Sequence, residues 1–459
     1  MERYAIILAA GKGTRMKSLK ADISKVSFPI LGKPMVRYVL DALDKIALDK
    51  IVTVVGFGGE MTKSVVSDRS EVVWQKEQKG TGHAVIMAAD LLESKDGETI
   101  ICCGDTPLLT ERTLSALLSS HETNHNDLTL MTAIFDDPHG YGRIVKENGR
   151  VKKIVEQKDC NPDEDAIHEV NAGVYVFDNR ELFKDLKKLT PNNAAGEYYL
   201  TDVIAMFVKD GKKVDSFAVS DAKETMGVND RYALSKAEKI IRHRINKKLM
   251  LAGVSMEDPD TTYIGPDVLI GQDTVIRPNT YILGASKIGN DNTIGPNTYL
   301  ENVAVGDRNL IDSCHIVDSA IKNDCLLGPW LRIRNNSVIE DRAMIGNFNE
   351  MKNVRFGEES RMAHLSYLGD VEVGKDVNFG SGTYSANFDG KEKYHSQVKD
   401  HAFLGCGTIL VSPVEVGESA YVAAGTVVTE NVPDKAFAVS RGRQTTKENY
   451  ADKVGKGKK

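Results

Sequence analysis

An apolar run from Tyr4 to Ala10 leads into Gly11-Lys12-Gly13-Thr14-Arg15-Met16. Two glycines let the backbone approach a phosphate closely, and the N–H groups of such a turn can converge on an anion. Arg15, followed by Lys25, adds two cations able to neutralise a polyphosphate. The string is not a dinucleotide fingerprint, because Met16 stands at the third glycine position, and no Gly-Lys-Ser/Thr closes it as a P-loop. A second reactive set lies far along the chain: Arg334 and Lys352, then His364. Two cations converging with an imidazole would make a phosphate site with a general base beside it. Six cysteines, at 102, 103, 160, 314, 325 and 406, form no C-x-x-C pair and suggest neither zinc nor a disulfide frame.

The elements that position the second set announce themselves by a period of six. Ile264, Ile270, Ile276, Ile282, Ile288, Ile294 and Leu300 open the series. It returns at Ile321, Leu327, Ile333, Ile339 and Ile345, and again at Val398, Leu404, Leu410, Val416, Val422 and Val428. Neither a helix nor a flat strand sustains such a beat, whereas a triangular parallel β-helix does, one inward aliphatic per flat side. A turn of three sides takes about 18 residues, so roughly nine coils about 4.8 Å apart are expected between Tyr263 and Val432. That turn stacks Arg334 on Lys352 and puts His364 on the adjoining side of the next coil. The beat breaks between Phe379 and Val398, where Tyr384 to Ser396, with Asn387, Gly390 and Lys393, reads as an extruded loop.

The first ~225 residues follow another rule. Strand-like segments (Tyr4–Ala9, Ile51–Val55, Val72–Gln75, Thr99–Cys103, Leu128–Ala133) alternate with helix-like ones (Pro34–Ile46, Glu60–Val66, Thr81–Leu92, Glu111–His121). This rhythm predicts a mostly parallel sheet covered by helices, with ligands at the C-terminal strand ends. Between the two regions, Leu234, Ala237, Ile241, Ile245, Leu249 and Ala252 recur at helical spacing, predicting one long connecting helix that ends near Gly253. A net charge of −6 gives no reason to expect nucleic acid or an anionic membrane as partner. No segment approaches membrane-spanning length, and a cytoplasmic protein acting on small molecules is expected. The basic tail, Lys453, Lys456, Lys458 and Lys459, reads as a solvated terminus.

The full string Leu8 to Met16, with the hexad repeat behind it, resembles the bacterial bifunctional N-acetylglucosamine-1-phosphate uridylyltransferase / glucosamine-1-phosphate N-acetyltransferase family. Further motifs carry the resemblance along essentially the whole chain: Gln75 to Ala84, Gly104-Asp105-Thr106-Pro107-Leu108, Tyr141-Gly142-Arg143, Val155 to Lys158, Asn171-Ala172-Gly173 and Gly227-Val228-Asn229-Asp230. It implies a Rossmann-like α/β nucleotidyltransferase domain over 1–228, a linker helix over 229–253, and a left-handed parallel β-helix of hexapeptide repeats over 254–459. The implied first site binds UTP and the sugar nucleotide through Leu8, Ala9, Gly11, Lys25, Gln75, Gly80, Thr81, Gly142, Glu156, Asn171 and Asn229. Arg15 and Lys25 are its catalytic cations, and Asp105 and Asn229 hold Mg²⁺, which accepts one carboxylate and one amide oxygen while keeping waters. His83 and Glu197-Tyr198-Tyr199 are expected to be structural.

In the second half the resemblance makes His364 the general base of acetyl transfer, oriented by Glu350. Arg334, Lys352 and Lys393 clamp the sugar phosphate, and Tyr367, Asn378 and Asn387 contact the sugar. Acetyl-CoA meets Ser381, Asn387, Phe388, Cys406, Ala424 and Arg441. The family's homotrimer places this site between subunits. Four departures stand out. The usual Asp-Leu-Pro-Lys is Asp22-Ile23-Ser24-Lys25 after about three extra residues, and Asn-Tyr-Asp-Gly is Asn387-Phe388-Asp389-Gly390. The expected serine is Cys406, and Gly-Ala-Gly-Thr is Gly380-Ser381-Gly382-Thr383. A thiol is a poorer hydrogen-bond donor than a hydroxyl, so a slower acetyltransferase is expected. Two other readings compete: a sugar-nucleotide pyrophosphorylase whose solenoid only oligomerises or regulates, and a non-catalytic subunit that keeps both folds.

Overall fold

The computed structural model describes residues 2–19, 23–192 and 196–453. Asp22 and the tail lysines Lys456, Lys458 and Lys459 lie outside the described residues. The chain divides into two compact units, Met1–Ile241 and Arg242–Lys459.

The first unit is built on β1 (Arg3–Ala9), β2 (Lys50–Val55), β3 (Glu71–Trp74), β4 (Glu98–Cys103), β5 (Leu128–Ile134), β6 (Arg143–Glu147), β7 (Arg150–Val155), β8 (Glu169–Asp178) and β9 (Val214–Ala218). Its sheet runs β9-β5-β8-β4-β1-β2-β3, with β6 attached to β8 and β7 to β6. All pairs along that path are parallel except those of β8, which runs antiparallel to both β4 and β5. The expected sheet is therefore mostly parallel with one reversed strand near its middle. The helix Met35–Leu43 buries Met35, Val36, Val39, Leu40 and Leu43, the one-sided stripe its spacing dictates. The single helix expected over 81–92 is two short ones, Thr81–Ile86 and Ala89–Leu92. Met87 and Ala88 donate to carbonyls three residues back, which tightens the chain and ends the α-helical ladder.

A helix Arg231–Leu251 follows. Within the second unit its Ile245 and Leu249 pack on the solenoid core, and buried Asn246 donates to the carbonyls of Pro259 and Thr262, 2.9 Å each. Arg242 is not merely solvated; its guanidinium lies 4.6 Å over the Tyr263 ring.

The second unit is a left-handed parallel β-helix with sheets of eleven and fifteen strands, the first running from Ser255–Met256 to Phe437–Ala438. Every hexad aliphatic is buried except Ile270, which is half-buried. Each fully buried side chain of this size contributes about 1.5–3 kcal/mol. Where the beat seemed lost after Leu300, the coil only shortens. Val305, Ile311, Ile316 and Ile321 keep the core filled, and Leu300 pairs with Ile316 sixteen residues on. One left-handed residue turns each such corner: Asn302, Asp318, Asn353 and Asp370, at φ between 47° and 55°. Asn and Asp tolerate that conformation, so a strand can continue through the corner and save a residue. The extruded loop is also smaller than expected. Tyr384–Ala386 is a strand of the stack, pairing with Tyr367 and with Ile409–Val411, and Ser385 points inward. A polar residue fits there because the Gly369 N–H donates to Ser385 Oγ at 2.7 Å. Only about 387–395 leaves the coil, closed by the Phe388–Lys393 bridge.

Candidate active sites

In the first unit, β1, β2 and β4 end side by side and the loops after them line a cleft of about 440 Å³. Leu8, Ala9, Gly11, Lys25, Gln75, Gly80, Thr81 and Asp105 all face it. Gly13 adopts φ 58°, and a Cβ there would lie 2.7 Å from Lys25 Cβ, so its absence lets Lys25 cross the turn. Lys25 Nζ contacts Asp105 Oδ2 and donates to Asn229 Oδ1 at 3.0 Å. Arg15 donates to the same Asn229 oxygen at 3.0 Å. Two cations and two hard oxygens thus meet at one point, although they come from positions 15 to 229. A carboxylate and an amide oxygen around a positive charge suit a divalent ion that takes its other ligands from water or phosphate. No group of three or more His, Cys, Asp and Glu side chains able to hold a metal occurs among the described residues.

Gln75 is buried, and its amide donates to the Gly80 carbonyl and to His83 Nδ1, both at 3.0 Å. Gly80 has φ 111°, and a Cβ there would collide with the Tyr198 carbonyl. Gly82 N–H donates to that carbonyl and Tyr198 N–H to Lys79 O, 2.8 Å each, so the Glu197-Tyr198-Tyr199 segment is the wall against which the loop carrying Gly80 packs. Thr81 Oγ1 accepts from Leu200 N–H. His83 is paired with Gln75, and its imidazole is held below its usual range by burial.

Gly142, Glu156 and Asn171 form a neighbouring group. Asn171 N–H donates to the Gly142 carbonyl at 2.8 Å, and Glu156 Oε2 borders the open side of Gly142. A register shift in β8 between Asn171 and Tyr175 lets the Asn171 amide reach Tyr175 Oη at 2.7 Å. Burial pushes the Glu156 carboxyl up. Arg143, almost fully buried, donates to the carbonyls of Pro138 and Tyr141 and pairs with Asp165, which fixes the loop carrying Gly142. Ala10, Lys12, Gln78 and Cys103 also line the cleft and had received no role, and Glu197, expected to be structural, lines it too. Position in a motif, or for Cys103 at a strand end, was their only signal.

In the second unit the strand register decides what meets. Arg334 pairs with Lys352 and Lys352 with Gly369; Arg332 pairs with Glu350 and Glu350 with Tyr367. Glu350 does not orient His364. Its Oε1 accepts from Arg334 at 2.7 and 3.2 Å, because register pairs it with Arg332, two residues from Arg334 on the same strand face. The partner of His364 is Asn347, one coil earlier, whose Oδ1 lies 2.9 Å from Nδ1. An amide oxygen only accepts, so Nδ1 carries the proton and Nε2 is left as the base. Asn347 was missed because the coil there is 17 residues, not 18.

Lys352 Nζ is 3.7 Å from Asp370, which also accepts from Asn353 at 2.7 Å and Asn387 at 2.5 Å. Burial opposes ionisation of Asp370, yet these bonds and the adjacent Lys352 and Lys393 hold its carboxyl below the usual range. Lys393 beside Lys352 pushes the latter's ammonium below its usual range, a surplus of positive charge that an anion would relieve. Tyr367 feels Arg334, Asp370 and Lys393, while burial raises its phenol. Asn378 stands apart from this column: it stacks on Arg361, in the other sheet. Ser381, Cys406 and Ala424 follow one another up a corner, linked by Gly407 N–H to Ser381 O and Gly425 N–H to Cys406 O, 2.8 Å each. Arg441 donates to Ala424 O at 3.1 Å, and Phe388 is exposed on the loop. Cys406 is exposed with a free thiol.

The nucleotidyl transferase family model matches residues 4–230. Bifunctional protein GlmU of Geobacillus sp. (strain WCH70) is 49% identical over 99% of this chain and 98% of its own length. The chain belongs to the bifunctional GlmU family. GlmU of Bacillus subtilis (strain 168) is 48% identical over 99% of both chains. A solved UDP-glucose pyrophosphorylase complexed with UDP-glucose covers 53% of this chain at 18% identity and a TM-score of 0.43, a likeness too distant to argue from.

Proposed function

We propose that the chain makes UDP-N-acetylglucosamine in two steps, acetyl transfer from acetyl-CoA to glucosamine 1-phosphate and then uridylyl transfer from UTP with release of pyrophosphate. The membership in the bifunctional family and the two assembled sets of reactive groups support it. We assign 1–228 to the nucleotidyltransferase, 229–253 to the linker helix and 254–459 to the acetyltransferase.

In the acetyl step His364 Nε2 takes a proton from the sugar amine as its nitrogen attacks the thioester carbonyl. The tetrahedral oxyanion collapses and CoA leaves as its thiol. Arg334, Lys352 and Lys393 hold the sugar phosphate, and Tyr367 and Asn387 border the sugar. Asn378 reaches a sugar only if the ligand spans both sheets. Ser381, Cys406 and Ala424 give the cofactor a floor of small side chains, with Phe388 and Arg441 beside it. In the uridylyl step a sugar phosphate oxygen attacks the α-phosphorus and pyrophosphate leaves in line. Two polyanions must approach, so neutralisation by Arg15 and Lys25 is the main demand, and no protein nucleophile is needed. Asp105 and Asn229 would hold Mg²⁺, which supplies charge for the phosphates when bound. Gln75 reads the base, and Gly142, Glu156 and Asn171 hold the acetamido sugar.

No described helix is long and apolar enough to cross a membrane. Co-substrates such as UTP and acetyl-CoA belong to the cytoplasm. A homotrimer through the β-helix is supported by two outward apolar stretches of one column on its eleven-stranded sheet, Leu310-Leu326-Met344 and Phe403-Tyr421-Phe437, with Arg361 and Asn378 between them. The observation that carries the reading is the His364–Asn347 pair beside a column of cations, because a mere scaffold has no use for either. Incubation with glucosamine 1-phosphate, acetyl-CoA, UTP and Mg²⁺, omitting each in turn, tests it by mass spectrometry. UDP-N-acetylglucosamine should form only in the full mixture; formation of UDP-sugar without acetyl transfer would reduce the solenoid to a scaffold.

A further inference from the structure

A second cavity of about 530 Å³ opens in the first unit at the opposite ends of the strands, where β1 and β4 begin and β8 finishes. Arg3, Glu98, His121, Glu122, Asn126 and Asp178 line it, together with exposed His125. None of them has a part in either transfer reaction. We infer that this cavity binds a small organic cation carrying primary ammonium groups.

Two buried acceptors point to such a ligand. Glu98 is 6% exposed and Asn126 7% exposed, and neither Glu98 Oε2 nor Asn126 Oδ1 has a hydrogen-bond partner. A buried acceptor left unpaired costs about 1–3 kcal/mol, so its persistence at the wall of a cavity asks for a donor. The surrounding bonds show why the protein does not supply one. Asn126 Nδ2 donates to Thr129 Oγ1 at 3.0 Å, and that hydroxyl therefore turns its proton to His121 Nδ1 at 2.9 Å. His121 then carries its own proton on Nε2, which stands 3.9 Å from Glu98 Oε1, too far for a hydrogen bond. Arg3 gives one terminal N–H to Glu122, and its buried Nε has no partner, so it reaches neither acceptor and leaves one unpaired donor in the same wall.

The charge balance selects the sign of the ligand. Among the lining side chains, Glu98, Glu122 and Asp178 face one guanidinium, Arg3, and burial keeps His121 below its usual range and so neutral. A metal fits less well, since no cluster of three suitable ligands occurs among the described residues. An ammonium brings three donors and accepts irregular geometry. Burial first, then the charge of Glu122 and a hydrogen bond shared with it, push the Glu98 carboxyl up to about 7, so near neutral pH it is poised to give up its proton when a cation arrives.

Calorimetric titration of the whole chain with 1,4-diaminobutane at constant ionic strength tests this. We expect one site per chain, with affinity rising about tenfold between pH 6 and pH 8 as Glu98 ionises. Glu98→Gln should abolish that rise and weaken binding about tenfold or more, with pyrophosphate release unchanged; Asn126→Ala should weaken it less. A melting curve of each variant establishes that it folds. Absence of saturable heat across this pH range, or equal affinity in Glu98→Gln, would overturn the inference. So would displacement of the diamine by Mg²⁺ with the same dependence on Glu98, which would make the ligand a metal.

Discussion

The two reaction sites are assembled by opposite rules. In the nucleotidyl cleft, Arg15, Lys25, Asp105 and Asn229 converge from a span of more than two hundred residues, because β1 and β4 lie side by side and the segment after β9 returns to them. Val228 N–H donates to Asp105 O at 2.9 Å, and that one backbone bond delivers Asn229 to Lys25 and Arg15. In the solenoid, Arg334 meets Lys352 and Asn347 meets His364 because each pair is one coil apart. Sequence distance is spatial distance there. In an α/β unit it carries no such meaning, and only topology brings the groups together.

The comparison can be strained most by removing the base. His364→Ala should lower acetyl transfer about 10²–10⁴-fold while uridylyl transfer measured on N-acetylglucosamine 1-phosphate is unchanged. Loss of both activities would mean the two sites are not independent. Asp105→Ala should do the reverse, cutting pyrophosphate release about 10²–10³-fold and sparing acetyl transfer, as loss of one charge-stabilising group does elsewhere. Asn347→Ala tests the one-coil rule more finely: acetyl transfer should fall about 10–100-fold, the usual cost of losing an imidazole's outer partner, whereas Glu350→Gln should act through Arg334 and raise KM for the sugar phosphate. If Glu350→Gln instead shifted the acidic limb of the kcat profile and Asn347→Ala did not, the register argument would fail.

A smaller effect comes from pH. Lys352 sits below its usual range because Lys393 is beside it, so it loses its proton at lower pH than a lone lysine. Sugar phosphate affinity should weaken as pH rises through that lowered value. Lys393→Ala removes the repulsion, and the alkaline limb of kcat/KM should move to higher pH even as KM rises. Smallest of all, Cys406→Ser should raise acetyl transfer only a few-fold, about 1 kcal/mol or less of added hydrogen bonding.

Much of this was legible in the order of residues. The six-residue beat located the solenoid and stacked Arg334 on Lys352, and motif strings marked Lys25, Gln75, Asp105 and Asn229 before any contact was known. What escaped was local geometry that a period averages away. The corner turned by Asn353 shortens the coil by one residue, and that single residue decides that His364 stacks on Asn347 rather than on Gly346. The reversed strand β8, which carries Asn171, has no pattern of its own to distinguish it from a parallel neighbour. The carboxyl–imidazole cavity around Glu98 left no trace at all, since its groups come from β1, β4, a helix and β8.

The sequence by itself therefore determined the two architectures, the inward face of those coils that keep the six-residue beat, and most of the candidate reactive side chains. These follow from periodicity and local backbone chemistry, which act over a few residues. Only the tertiary structure decided which oxygen meets which nitrogen. Hydrogen bonds and ion pairs depend on distances of tenths of an ångström, and a one-residue change of register moves a side chain by more than 3 Å.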